Sequence, residues 1–242
     1  MDPSNQILDP LVHKLERLST LDEGSRLALG SLPIRLELVP AGRLVVREGD
    51  VPEECCVLLQ GYACRHKSTR SGDRQIVSFH MAGDILDLQH LKLDRADHTV
   101  EAITSAEIAW IPKVAMNRLM KDQPGVADAL WRDALIDASI FREWVLNVGR
   151  RDARSRVAHM LCEFAARRAA SGLGSPEGFD LPMSQERIAE ATGLTSVHVN
   201  RTLRALREEG ALLKDTRKIR IADWSLLQRI AAFDQGYLHC AA

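Results

Sequence analysis

Nowhere does this chain of 242 residues offer the run of ~18 apolar residues that a membrane-spanning helix needs. Its first ten residues, Met1–Pro10, lack the basic start and apolar stretch of a secretory signal. The chain is therefore read as soluble and cytoplasmic, with no membrane partner. Cysteine is sparse. Cys55, Cys56, Cys64, Cys162 and Cys240 are odd in number and irregularly spaced, which is not a disulfide framework. No Cys-x-x-Cys pair occurs, so the usual zinc and iron–sulfur spacing is absent. Neither sign of charge dominates, with 32 Lys and Arg against 33 Asp and Glu. The distribution is uneven, however. Between Arg150 and Ala222 stand 14 Lys or Arg and 9 Asp or Glu, a net of +5, which leaves −6 for the remainder. An acidic body with a basic C-terminal segment suits a DNA-binding domain at that end.

What is present is enough hydrophobic material, 45% of residues, for one large domain or two modest ones. Residues 1–30 carry Leu8, Leu11, Leu15, Leu18 and Leu21 at helical spacing and read as a helical lead-in. Over residues 31–113 the period shortens. Apolar runs at Leu44–Val46, Cys56–Leu59, Ile76–Phe79 and Ile108–Ile111 alternate with turn signals at Gly42, Gly49-Asp50, Gly61, Gly72-Asp73 and Gly83-Asp84. This pattern predicts an all-β roll of jelly-roll type. Residues 114–150 read as one long helix. Within it Leu130, Ala134, Asp137, Phe141, Trp144 and Val148 alternate 4 and 3 apart, the spacing of a coiled-coil seam. A two-fold dimer helix is expected there, with Asp137 as a polar register-setting residue. Residues 151–235 form the last domain, and the predicted fold class is α+β: β-roll, long helix, winged helix-turn-helix.

The final domain holds the strongest motif. Ser184 is placed to cap a short helix with Ile188, Ala189 and Ala191 inside. Gly193 permits the turn, and Thr195 caps a second helix running to about Glu208. Val199, Leu203 and Leu206 fall at i, i+4, i+7 and face the core. Ser196, Val197, His198, Asn200, Arg201 and Arg204 then face outward, on the half of a recognition helix that reaches base edges. Arg201 suits bidentate bonding to guanine, Asn200 suits adenine or phosphate, and Val197 suits a thymine methyl. Ser196 and His198 suit phosphate. After Gly210, the basic segment 214–221 reads as a wing, with Arg217 and Lys218 on backbone phosphate.

On these residues the chain resembles the Crp/Fnr family of bacterial transcription regulators, over about 32–224. The resemblance implies a homodimer on palindromic promoter sites, contact with RNA polymerase and no enzymatic activity. It implies DNA contacts at Gln185, Ser196, Val197, Asn200 and Arg201. Val197 departs from the Glu that many members carry, which predicts a different half-site. The β-roll resembles a cyclic-nucleotide-binding domain. Where nucleotide-binding members have Gly-Glu, this chain has Asp87-Leu88; where they have Arg followed by Ser or Thr, it has His98-Thr99. Leu88 cannot accept from a ribose hydroxyl, Asp87 would repel a phosphate, and a neutral His98 supplies no charge. Cyclic AMP is not expected to bind. The N-terminal cysteine cluster of iron–sulfur members is absent, and no spacing among His80, His90, His98 and Cys64 marks a haem or metal ligand pair. No cofactor is predicted. Adjacent Cys55 and Cys56 point to opposite faces of a strand, so at least one is buried and inert as a redox switch. Two other readings are a cupin-like β-roll metalloenzyme and an adaptor using the long helix. The first needs closely spaced His and Glu ligands, whereas His80, His90 and His98 are scattered, and it leaves the helix-turn-helix unexplained.

Overall fold

A computed structural model describes residues 6–214 and 218–239. Two compact units emerge: the chain up to residue 138, and residues 139 onward together with the hairpin tip 68–78.

The N-terminal unit starts with two helices. Helix α1 spans Asp9–Leu18 and α2 spans Glu23–Gly30. Asp22 separates them by capping α2, accepting from Ser25 N at 2.7 Å. Leu11 and Leu15 are fully buried, and with Leu8 and Leu29 they join a core shared with strands and helices from farther along the chain. The segment is thus an integral part of the domain core.

Seven strands follow: β1 Arg35–Val39, β2 Leu44–Val46, β3 Glu54–Gln60, β4 Ala63–Ser68, β5 Arg74–His80, β6 Thr99–Ala102 and β7 Ala106–Pro112. They build a three-stranded sheet in the order β1-β7-β3 and a four-stranded sheet in the order β2-β6-β4-β5. In β3, Cys55 lies across from Ile111 and Cys56 across from Trp110. The two cysteines alternate as a strand requires. Cys55 enters the core that includes α1, while Cys56 enters a second core with Val46, Leu58, Val100 and Ile108. Both are fully buried, and burial, aided by the nearby Asp87 carboxylate, pushes both thiols far up. Neither is a reactive thiolate. Gly61 is held at φ +90°, and a Cβ there would stand 2.4 Å from the Ser105 carbonyl oxygen, so the β3–β4 turn admits only glycine.

The expected single long helix is interrupted. Helix α3, Lys113–Asp122, ends at Gln123, and α4 runs Pro124–Arg150. Proline lacks an N–H to donate, so it starts a helix readily and cannot continue one.

In the C-terminal unit, α5 spans Ala153–Ala170 and is capped by Asp152, which accepts from Arg154 N and Ser155 N. Helices α6 (Gln185–Thr192), α7 (Ser196–Glu208) and α8 (Trp224–Ala231) follow. The buried Glu163 of α5 accepts from Trp144 Nε1 at 2.8 Å and from Tyr237 OH at 2.8 Å. Burial raises its pKa, outweighing Arg167 and these two donors, while Glu143 adds to the rise.

Two measurements check this packing. Leu15→Ala removes a fully buried side chain and should cost about 2–5 kcal/mol in denaturant unfolding; a cost below about 0.5 kcal/mol would mean that α1 is peripheral. For Glu163, a folded pKa above the ordinary 4.5 means the native state holds the proton more tightly. Its contribution to stability is complete below that ordinary value and is lost as pH rises through the folded pKa. The stability of Glu163→Gln relative to the parent should therefore climb as pH rises from about 4 to about 8; a flat difference would contradict a raised Glu163 pKa.

Candidate nucleic-acid interface

The second helix of the motif forms because both of its ends are specified locally. Ser184 caps α6 by accepting from Arg187 N at 3.3 Å. Gly193 then takes the left-handed conformation, φ +64°, that ends α6. Two residues later the Thr195 side chain accepts from His198 N at 3.2 Å and starts α7. The predicted bounds of the recognition helix agree with α7 and its cap. Helix α6 is further held by the hairpin tip of the same unit: Arg74 pairs with Glu190 at 3.1 Å, and Gln75 Nε2 donates to the Ala191 carbonyl.

Val199, Leu203 and Leu206 are fully buried, as their spacing predicts. The opposite stripe is open. Ser196, Val197, Asn200, Arg201 and Arg204 are exposed and His198 is half-buried. Val197, at 81% exposed, is an apolar side chain standing in water on a helix whose inner face is otherwise satisfied. The polar members differ in readiness. Asn200 Nδ2 donates to Gln185 Oε1 at 3.0 Å, so two predicted contact residues brace each other across α6 and α7. Arg204 pairs with Glu208 at 2.8 Å. Arg201 makes no hydrogen bond or ion pair among the described residues, which leaves its fork of donors unspent.

After α7 the chain returns through a short antiparallel contact. Leu212 bridges Ile221, and Leu213 N donates to the Arg220 carbonyl at 2.9 Å. Lys218, the predicted wing residue, is bound to Asp180, as is Arg220. The hydrogen bonds from Arg220 and Lys218 hold the Asp180 carboxyl down at about 2. A phosphate must therefore compete with Asp180 for Lys218. Arg217 lies outside the described residues.

The predicted dimer seam needs a correction. Leu130 is 2% exposed within the N-terminal core, and Trp144 is 7% exposed with its Nε1 spent on Glu163. Neither can face a partner. Ala134, Asp137, Phe141 and Val148 are half-buried, and Asp137 receives Arg65 at 2.8 Å. The open stripe of α4 lies one residue later: Trp131, Leu135, Arg142, Val145 and Gly149 are exposed, with a half-buried Ala138 between Leu135 and Arg142 in the same 4-and-3 spacing. Trp131, Leu135 and Val145 are 65%, 50% and 75% exposed, with Leu146 beside them. Spacing alone cannot choose between two registers one residue apart. The choice is made by which side chains find cover, and Trp144 finds a buried carboxylate.

The residues expected at the degenerate effector pocket are occupied internally. Asp87 is fully buried, and its Oδ1 accepts from Cys56 N at 2.9 Å; the expectation that it would face an incoming phosphate is replaced by this structural role. Leu88 opens a short 3-10 turn, Leu88–Leu91, and packs on the core around α1. Thr99 accepts from Glu48 N at 3.2 Å. Burial, together with Arg65 and the neighbouring His90, pushes His98 down to about 4, so it carries no charge at neutral pH.

Comparison with known proteins agrees with this architecture. Residues 36–123 match the cyclic nucleotide-binding domain family, and residues 155–230 match the Crp-like helix-turn-helix domain family. A probable transcriptional activator of Rhizobium leguminosarum bv. viciae is 28% identical over 79% of this chain and 79% of its own length. The transcriptional activator protein FnrL of Cereibacter sphaeroides is 29% identical over 80% of this chain and 79% of its own. Among solved structures, FixK2 from Bradyrhizobium japonicum shares the fold with a TM-score of 0.75 at 24% identity, over 84% of this chain and 100% of that one.

Proposed function

We propose that this chain, which belongs to the Crp/Fnr family of DNA-binding transcription regulators, reads an inverted-repeat operator as a homodimer, with Arg201 as its principal base reader. The observation that carries the reading is the stripe on α7. Its inner face is fully buried, and opposite it stands an unpaired guanidinium one turn beyond the helix start. A planar fork in that position matches the O6 and N7 of guanine. Val197, exposed a turn earlier, suits a thymine methyl. Gln185 and Asn200, braced against each other, present one donor–acceptor surface to base or backbone. Ser196, His198 and Arg204 complete the outward face, and Lys218 adds a phosphate contact after leaving Asp180.

The homodimer is supported by the open stripe on α4. Trp131, Leu135 and Val145 put large apolar side chains in water along one line, and a two-fold partner offering the same line covers them. Two such recognition helices reach successive major grooves about 34 Å apart. RNA polymerase is the further partner that this reading implies. Cyclic AMP is not the effector in this reading. The internal roles of Asp87 and Thr99, and a His98 without charge, support that assignment. An enzyme or adaptor role leaves the capped, outward-facing α7 without a purpose.

The reading has two tests. Arg201→Ala should cost about 1–3 kcal/mol on the cognate operator, relax preference at one base pair per half-site and leave non-specific binding almost unchanged. Lys218→Ala should weaken all DNA alike and reduce the slope of log affinity against log salt by about 0.9. Equal losses on cognate and random DNA for Arg201→Ala would remove it as the base reader. The second test is sizing. Val145→Asp, at an open position of α4, should convert a dimer into monomers and abolish tight operator binding; a dimer that survives both this change and Leu135→Asp places the interface elsewhere.

A further inference from the structure

The DNA-binding reading gives no task to a group of side chains in the β-roll. His90 lies on the 3-10 turn Leu88–Leu91, and His98 stands immediately before β6. Eight positions apart in sequence, their rings stack with centroids 5.6 Å apart and planes 13° from parallel. Asp97 Oδ1 lies 2.7 Å from His98 Nδ1. One donor atom from each of His90, Asp97 and His98 falls within 4.8 Å of the other two.

His90 is the anomaly. It is fully buried, and neither ring nitrogen has a hydrogen-bond partner. The nearest carboxylate oxygen, Asp87 Oδ2, is 3.7 Å from Nδ1, beyond hydrogen-bond reach, and is itself without a donor. A buried imidazole left unsatisfied on both sides is destabilising by about 1–3 kcal/mol, so a site that keeps one needs a reason. Simple packing of two histidines gives none, because a phenylalanine or leucine would fill the space without the penalty. A ligand that accepts lone pairs does give one. The chemistry around it also suits a cation. Two carboxylates, Asp87 and Asp97, flank the ring pair. The positive groups nearby are already committed: Arg65 to Asp137 at 2.8 Å and to the Leu86 carbonyl at 3.1 Å, and Lys67 to the Asp97 carbonyl and to Glu48 at 3.2 Å. Access is available too, since the Asp97 side chain is 70% exposed while both rings are buried behind it.

We propose that His90, His98 and Asp97 form a binding site for one first-row divalent transition-metal ion of borderline softness, such as Zn²⁺ or Fe²⁺. Two imidazoles and one carboxylate are a donor set for such ions, and three protein ligands leave a coordination position open to water or a small exogenous ligand. Bonds of about 2.0–2.1 Å to the metal require the donors to draw together by roughly an ångström. Asp97, on the solvent side, has the freedom to do so. Asp87 stands where an outer carboxylate steadies a ligating imidazole.

The test uses the full-length protein, stripped with a chelator and titrated with Co²⁺ as a visible probe, then with Zn²⁺ in competition. The expected result is one equivalent of Co²⁺ per chain, with ligand-field bands but no thiolate charge-transfer band, and a melting temperature raised by Zn²⁺. His90→Gln and His98→Gln should each weaken binding by roughly 100-fold or more, and Asp97→Asn by about tenfold. His13→Gln, an exposed histidine outside the group, should change nothing. Failure of the parent protein to bind Co²⁺ stoichiometrically at micromolar concentration would overturn the proposal. So would a thiolate band, which moves the ion to a cysteine, or unchanged affinity in the histidine variants. Should those variants fail to fold, Asp97→Asn, changed at an exposed carboxylate, decides the matter, and unchanged affinity again overturns it. The measurement involves no DNA, so its failure is distinct from failure of the operator-binding reading.

Discussion

The bond from Trp144 Nε1 to the buried carboxylate of Glu163 fixes which face of α4 is turned toward α5. An indole nitrogen buried without an acceptor is destabilising, and so is a carboxyl group buried without donors. Each resolves the other's problem, with Tyr237 OH as the second donor. The consequence is rotational. Once Trp144 faces α5, every other residue of α4 has its azimuth set by the 3.6-residue period. Beside Trp144 in the same unit, Val145 and Leu146 are then turned out. The polar bond thereby leaves Val145, one of the open positions on which the proposed dimer depends, facing water. Shifting the helix by one residue, about 100°, would expose the Trp144 indole and bury Val145 without gaining any hydrogen bond.

The C-terminal motif was legible because its signals are local. A serine or threonine cap, a glycine at positive φ and an apolar triplet at i, i+4, i+7 act within one or two turns, so residues 184–208 could be read directly. The β-roll was half legible. Cys56–Leu59 and Ile108–Ile111 announce β3 and β7, but β1, β4 and β6 have too few consecutive apolar residues. Strand β1 leaves Leu36 and Leu38 exposed, and β4 contains Arg65, His66 and Lys67, two of which are buried by the neighbouring strands. Those strands exist because β6 and β7 offer ladders to join, which no local pattern records. The break at Gln123–Pro124 falls where the sequence carries a proline, ahead of the helical spacing that starts at Leu130. Both registers of α4 satisfied the same heptad, and the information that separates them, an acceptor nineteen residues away on α5, is tertiary.

The β-roll keeps the turns of its fold while several of its polar side chains serve the protein's own backbone. The fold needs its turns, and Gly61 and Gly83 remain because a Cβ at either would strike backbone oxygen, at 2.4 and 2.5 Å. The polar side chains are under no such constraint, and here they have turned inward. Asp87 secures the backbone of β3, and Thr99 secures Glu48. An anion entering this space would meet a committed guanidinium, uncharged His98 and two carboxylates. A metal cation would meet two imidazoles, one of them without any partner, and a carboxylate at the mouth. Charge therefore favours the proposed cation over an anion beside His90 and His98.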